Sequence, residues 1–186
     1  VHLPGLEKWV LPELDERVNR PTRPLRAFVS LVELLDEAAG RHEHHTALMR
    51  LQSDGLARVT YREWKRRADA VAARLADAGV EHGDRVMLAG ANHPDWPIAY
   101  FGILRAGAVA VPVDAAMEAA ALDVIARASN AAAIIADAKV AARLDELPHL
   151  TATRFDMHAI AIDDDHPAPP SIPAANADAL ASIIYT

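Results

Sequence analysis

From Asp84 onward, short solid apolar runs alternate with segments of helical period: RVMLAG, PDWPIAYFGILRAG, AVAVPV, MEAAALDVIARAS, AAIIAD and AKVAARLDEL. Runs this short that are apolar on both faces suit interior strands of a parallel sheet, because crossover helices cover both of its faces. The alternation therefore predicts a βαβαβα order and an α/β fold with a mostly parallel sheet. His158-Ala-Ile-Ala-Ile162 reads as a further strand, DDDHPAPPSIPAAN as a Pro-rich surface connection, and the closing ALASIIYT as a last interior strand. That strand would carry Tyr185 and Thr186 to the carboxyl edge of the sheet, where open α/β sheets bind their ligands.

Upstream of this region the pattern is different. Residues 1–28 contain Pro4, Pro12, Pro21 and Pro24, which remove backbone donors and push the preceding residues into extended conformations. They predict an extended leader with one short turn near Glu13. SLVELLDEAAG offers a capping box, with Ser30 and Glu33 each satisfying a free backbone N–H, and Gly40 as its stop. Asp54-Gly55 between two short runs suits the tight turn of a β-hairpin. Thr60 and Glu63 repeat the capping-box spacing ahead of Trp64, Ala68, Val71, Ala72 and Leu75, which recur at helical period until Gly79 closes the helix.

A chain of 186 residues with 52% hydrophobic content can build one sizeable core. Its net charge of −7 disfavours nucleic acid and anionic lipid as partners, since both select clustered Lys and Arg. With no cysteine there is neither a disulfide framework, nor a thiolate metal site, nor a Cys nucleophile, and a cytoplasmic setting is the default. The longest apolar stretch, IAYFGILRAGAVAVPV, is interrupted by Arg105 and Pro112 and is shorter than the roughly 20 apolar residues of a spanning helix. The N-terminal stretch has acids beside its apolar residues and no basic lead, so it does not read as a signal peptide.

Few groupings suggest chemistry directly. RHEHHT brings His42, His44 and His45 together, but without further ligands at helical spacing it reads as a solvated loop. Asp163-Asp164-Asp165-His166 lacks the glycine and distal glutamate of a calcium loop and reads as a polar loop tip. Neither a G-x-G-x-x-G nor a Walker-type phosphate loop follows any strand, which argues against a nucleotide-binding oxidoreductase domain. Gly102 in GILRAG reads as a close-packing position and Gly107 as a helix stop. Asn92-His93-Pro94-Asp95 is a helix start, with proline in the first turn and an acid, Asp95, near the positive helix end. Ser182 lies within an apolar run, not on an exposed elbow. These residues assemble no complete catalytic apparatus and no metal ligand set.

The ordered set TYREWKRRADAVAARLADAGVEHGDRVMLAGANHPDWPIAYFGILRAGAVAVPVD, followed by DVIARASNAAAIIAD, resembles the N-terminal subdomain of the adenylate-forming enzymes. This superfamily contains the acyl- and aryl-CoA synthetases, the luciferases and the adenylation domains of peptide synthetases. The likeness covers most of residues 30–186. The leader KWVLPELDE and the segment RPLRAFVSLVELLDEAAGRHEHHTAL are similar to the long-chain fatty acyl-CoA ligases. The VDAAMEAAAL that follows the V-P segment lacks the Tyr-Pro usual in peptide-synthetase domains.

The resemblance implies a two-step ligation in which a carboxylate attacks ATP, with Mg2+ on the phosphates, and CoA then displaces AMP from the acyl-adenylate. It implies that Thr186 is the first residue of a phosphate-binding loop, with Tyr185 as strand-end support, and that Asp114 and the glycines are structural. Residues 29–186 are then the N-terminal α/β subdomain of an AMP-binding domain, ending before the rest of the phosphate loop. The chain alone is expected to be inactive, and the full-length protein to be an acid–thiol ligase acting on a long-chain fatty carboxylate. Two alternatives remain open: another adenylate-forming enzyme, or a self-contained α/β binding module without catalysis. The leader can pack on its own domain or reach a second subunit, so a homodimer is also open.

Overall fold

A computed structural model describes residues 27–53, 55–162 and 178–185. The expected leader lies almost wholly outside them, as do Asp54, the Asp163–His166 tract and Thr186.

Local signals set the first elements. α1 spans Leu31–Arg41; Ser30 Oγ accepts from the Glu33 N–H at 3.1 Å, and Glu33 Oε2 accepts from the Val29 N–H at 2.8 Å. Gly40 does not stop this helix. It keeps a helical backbone, Arg41 pairs with Glu37 at 2.7 Å, and His42 forms the C-cap. β1 (Thr46–Gln52) and β2 (Gly55–Thr60) form the expected antiparallel hairpin.

α2 (Tyr61–Asp77) opens with a complete capping box: Thr60 Oγ1 accepts from the Glu63 N–H at 3.2 Å, and Glu63 Oε2 accepts from the Thr60 N–H at 2.7 Å. That backbone N–H, followed by the Thr60 hydroxyl, holds the Glu63 carboxyl below its ordinary pKa. Thr60→Ala is expected to lower stability by about 1 kcal/mol in urea unfolding. An unchanged midpoint would show that the cap contributes nothing. Gly79 (φ 84°) and Gly107 (φ 74°) end α2 and α3 in the left-handed conformation. Each is followed by a residue whose N–H reaches back to the helix, Val80 to Leu75 and Ala108 to Ile103.

The remaining elements are β3 (Arg85–Ala89), α3 (Asp95–Arg105), β4 (Val109–Val113), α4 (Ala119–Ala128), β5 (Ala131–Ala136), α5 (Ala138–Leu144), β6 (Thr153–Asp156) and α6 (Met157–Ile160). The four strands pair in parallel in the order β4-β3-β5-β6. Alternation along the strands divides the core in two. Val86, Leu88, Ala110 and Ile135 pack with Val71, Leu75, Ile98, Ile103 and Met157 on the α2–α3–α6 face. Met87, Val111, Val113 and Ile134 pack with Leu122, Ile125, Val140 and Leu144 on the α4–α5 face. α2 and α3 are tied by Arg105, whose fully buried side chain donates to Asp36 Oδ1 at 2.7 Å and to Asp69. β6 is four residues long, and Arg154 on it reaches Asp145 at 3.0 Å and the carbonyls of Leu147 and Leu150.

Two expected strands are corrected. His158–Ile162 is not a strand; the strand precedes it as β6, and His158 lies in α6. The carboxylate of Asp156 accepts from the N–H groups of His158 and Ala159 at 2.9 and 2.8 Å, turning the chain into a helix. The four-residue helix is completed from outside, because Arg74 Nη1 donates to the Ile160 carbonyl at 2.8 Å and Arg67 Nε donates to that of Ala161.

Of ALASIIYT, the described residues do not form an interior strand either. They lie outside β4 and are joined to it by one parallel bridge, Ala110 to Ser182. The Ala110 N–H donates to the Ala181 carbonyl at 3.0 Å, and the Ile183 N–H donates to the Ala110 carbonyl at 2.9 Å. The next outward-facing donor on β4 would come from Pro112, which has no N–H, so the ladder cannot continue in register.

Candidate functional site

The chain passes from β3 through α3 to β4, then back across β3 through α4 to β5, and onward through α5 to β6. The direction of winding therefore reverses between β3 and β5, and a crevice opens where the loops at their carboxyl ends diverge. The loop after β3 begins with Gly90, where a Cβ would stand 2.7 Å from Met157 Sδ, so the flexible end of the Met157 side chain occupies the space that glycine leaves. Asp137, which follows β5, clasps the two loops: its carboxylate accepts from the Ala91 N–H at 2.8 Å and the Val140 N–H at 2.9 Å. Burial pushes the Asp137 carboxyl up, but the N–H groups of Val140, Ala91 and Lys139 outweigh it and hold it below its ordinary value.

A pocket of about 250 Å³ lies here, lined by Arg50, Ala91, Asn92, His93, Met157 and His158. Its polar wall is a cluster drawn from three elements. Asp95, buried at the start of α3, places Oδ2 at 3.0 Å from His93 Nδ1 and 2.8 Å from His158 Nδ1. The other oxygen, Oδ1, accepts from Arg67 of α2. The two imidazoles meet edge to face with centroids 4.5 Å apart. Burial pushes the His93 imidazole below its ordinary pKa, against the upward pull of Asp95.

Asp95 lies in the first turn of α3, near its positive end as expected, but makes no side-chain cap. Its carboxylate is turned to the Arg67 guanidinium, the N-cap is Pro94 without a side-chain bond, and the Asp95 N–H donates to His93 Nδ1 at 3.1 Å. The sequence pointed to His93 and Asp95 as a helix start, assigned His158 to a strand and gave no reason to single out Arg50 or Arg67. The H-x-D spacing was the one visible trace of the cluster.

Of the residues expected to serve a ligand, Thr186 lies outside the described residues. Tyr185 is half-buried and packs on the α4–α5 face, across the sheet from Met157. Ser182 shares a hydrogen bond with the Tyr100 hydroxyl at 2.8 Å. The histidines of RHEHHT form the loop between α1 and the hairpin, where the Tyr61 N–H donates to the His45 carbonyl at 3.1 Å. Asp114 accepts from the Ala116 N–H at 2.8 Å, a structural turn. Among the described residues, no helix is long and apolar enough to cross a membrane.

Comparison with known proteins places these features. The AMP-binding enzyme family matches residues 35–186. Syringomycin synthase SyrB1 of Pseudomonas syringae pv. syringae is 30% identical over 178 residues, 92% of this chain and 27% of that protein. A long-chain-fatty-acid–CoA ligase of Salmonella typhimurium is 34% identical over 128 residues, 68% of this chain and 22% of that protein. The solved N-terminal subdomain of Klebsiella oxytoca NpsA superposes with a TM-score of 0.72 at 23% identity, covering 84% of this chain and 38% of that one. That likeness shows the fold. The chain spans about a quarter of the length of these two curated relatives.

Proposed function

The chain belongs to the AMP-binding enzyme family, and on that premise we propose that it supplies the N-terminal subdomain of an ATP-dependent acyl-CoA ligase that activates a long-chain fatty carboxylate. The observation that carries the reading is the course of Ala181–Tyr185. Parallel bonding to β4 directs this run toward the carboxyl edge of the sheet, the edge at which such folds bind ligands. Thr186, next in the chain, is assigned to the ATP phosphates, with Tyr185 as the packed support behind it.

Of the carboxylates at this edge, Asp137 has both oxygens engaged by backbone N–H groups and Asp114 has one, so neither is assigned to Mg2+ and no step is routed through the metal. When bound, Mg2+ would neutralise phosphate charge. The chain's own contribution is to anchor the phosphate-binding segment on a rigid sheet.

A second reading, an adenylate-forming enzyme for another class of carboxylate, is favoured by the breadth of the syringomycin synthase match, which extends over 92% of this chain. ATP–pyrophosphate exchange separates the two when the complete gene product is offered long-chain fatty, aryl and amino acids. Exchange that depends on long-chain fatty acids is expected, and Thr186→Ala is expected to slow it about 10²-fold, as for loss of a donor to developing charge. Exchange with amino or aryl acids alone would move the assignment to the second reading. Exchange by the isolated 186 residues would remove the premise that the chemistry needs more than this chain.

A further inference from the structure

We propose that His93 Nδ1, Asp95 Oδ2 and His158 Nδ1 form a binding site for one divalent transition-metal ion of the zinc or cobalt class. One ligand atom from each residue lies within 4.8 Å of the others, and Asp95 Oδ2 is 3.0 Å from His93 Nδ1 and 2.8 Å from His158 Nδ1. Metal bonds of about 2.0–2.2 Å set neighbouring ligand atoms roughly 3.3–3.5 Å apart, so an ion fits with small adjustments. Two imidazoles and one carboxylate suit zinc, cobalt or nickel better than magnesium or calcium, which take oxygen ligands.

The bonding of His93 is the second observation. Its Nδ1 accepts the Asp95 N–H at 3.1 Å, so it presents a lone pair, yet it lies 3.0 Å from the carboxylate oxygen Oδ2. Two electron-rich atoms at that distance repel unless a proton or a metal cation lies between them. His158 can place a proton on its own Nδ1 toward the same oxygen. On His93, a proton or a metal alike takes the lone pair that otherwise accepts the Asp95 N–H at the start of α3.

Arg67 has the place of an outer-shell partner. It holds Asp95 through Oδ1 and leaves Oδ2 to face the two rings, as ligating carboxylates are commonly held. Arg50, the other cation, is exposed at the rim, where solvent and salt screen it. The pocket beside the cluster leaves room for a fourth ligand such as water or a small anion. His158 sits on a helix whose last carbonyls are fixed by Arg67 and Arg74, so one side of α2 positions two of the three ligands.

Titration of metal-stripped protein with Co2+, followed by visible d–d absorption, and with Zn2+, followed by calorimetry, tests the site. One equivalent is expected to bind. His158→Gln and His93→Gln are expected to weaken binding by about 100-fold or more, beyond the 10–100-fold expected for the outer-shell substitution Arg67→Gln. His158 is half exposed, so its replacement keeps the experiment clear of folding effects, which circular dichroism checks. His44→Gln, in the exposed loop after α1, is expected to leave binding unchanged. Absence of Co2+ binding by the wild-type chain, binding undiminished in both His93→Gln and His158→Gln, or loss of binding in His44→Gln would each overturn the proposal. The readout is metal binding and does not depend on which carboxylate the enzyme activates.

Discussion

Asp69→Ala is expected to remove about 3–5 kcal/mol of folding stability, because it leaves a buried guanidinium without its main partner. The Arg105 side chain is wholly inaccessible to solvent, and its Nε donates to Asp69 Oδ1. Nη2 lies close to the same oxygen but off the angle of a hydrogen bond, and among the described residues it is the buried side-chain nitrogen left without one. Only Asp36, itself 40% exposed, would remain to offset the charge. Natural domains are stable by about 5–15 kcal/mol, so the variant would lie near the edge of folding. The measurement is the urea midpoint at unchanged slope. Pairing the substitution with Arg105→Met removes the orphaned charge and is expected to recover most of the loss, since apolar replacements of buried ion pairs are often neutral. A loss below about 1 kcal/mol for Asp69→Ala alone would show that Asp36 and solvent compensate Arg105 without Asp69.

Gly102→Ala, a change that ordinarily strengthens a helix by about 1 kcal/mol, is expected to cost about 1–3 kcal/mol net here. A methyl group at this position would collide with Cβ and Cγ1 of Val71 and stand 3.1 Å from the Ala68 carbonyl oxygen. The obstacle includes a branched carbon next to the α2 backbone, so it cannot swing aside as the end of a long side chain would. α2 and α3 must then separate, loosening the core that Val71 shares with Ile98 and Ile103. A double-mutant cycle with Val71→Gly, which removes both of the struck carbons where alanine would keep Cβ, isolates the collision. The cost of Gly102→Ala should fall by more than half in the Val71→Gly background. An equal cost in both backgrounds would place its origin elsewhere.

What the sequence revealed and what it hid differ by range. The cap at Ser30, the capping box at Thr60, the stops at Gly79 and Gly107 and the βα alternation are governed by neighbours a few residues apart, and each was legible, although Glu33 reaches the Val29 N–H and not that of Ser30. Gly40 was misread because glycine permits a stop without requiring one; the Arg41–Glu37 pair carries the helix past it. α6 was misread because an apolar alternating run also fits a strand, and the arginines that complete the helix lie 86 and 94 residues upstream. The last run was expected inside the sheet, yet the missing N–H of Pro112 limits its pairing to the outer side of β4. The His93–Asp95–His158 cluster was hidden for a similar reason. Two members sit at a recognisable helix start, but the third arrives 63 residues after Asp95 and only after the sheet has formed. No local spacing could have announced it.

Among the described residues the parallel sheet ends at β6, which leaves the side beyond β5 unattractive to strangers. An edge strand is a template for recruiting another chain when it is long, flat and apolar. β6 offers only Thr153–Asp156, with Thr153, Arg154 and Asp156 exposed. Arg154 is folded back onto Asp145 and the carbonyls of Leu147 and Leu150, and the chain turns at once into α6. An incoming strand would find too few backbone groups to pair with and a charge in its way. Among the described residues, the brevity of β6 thus makes this side of the sheet a poor template for edge-to-edge pairing.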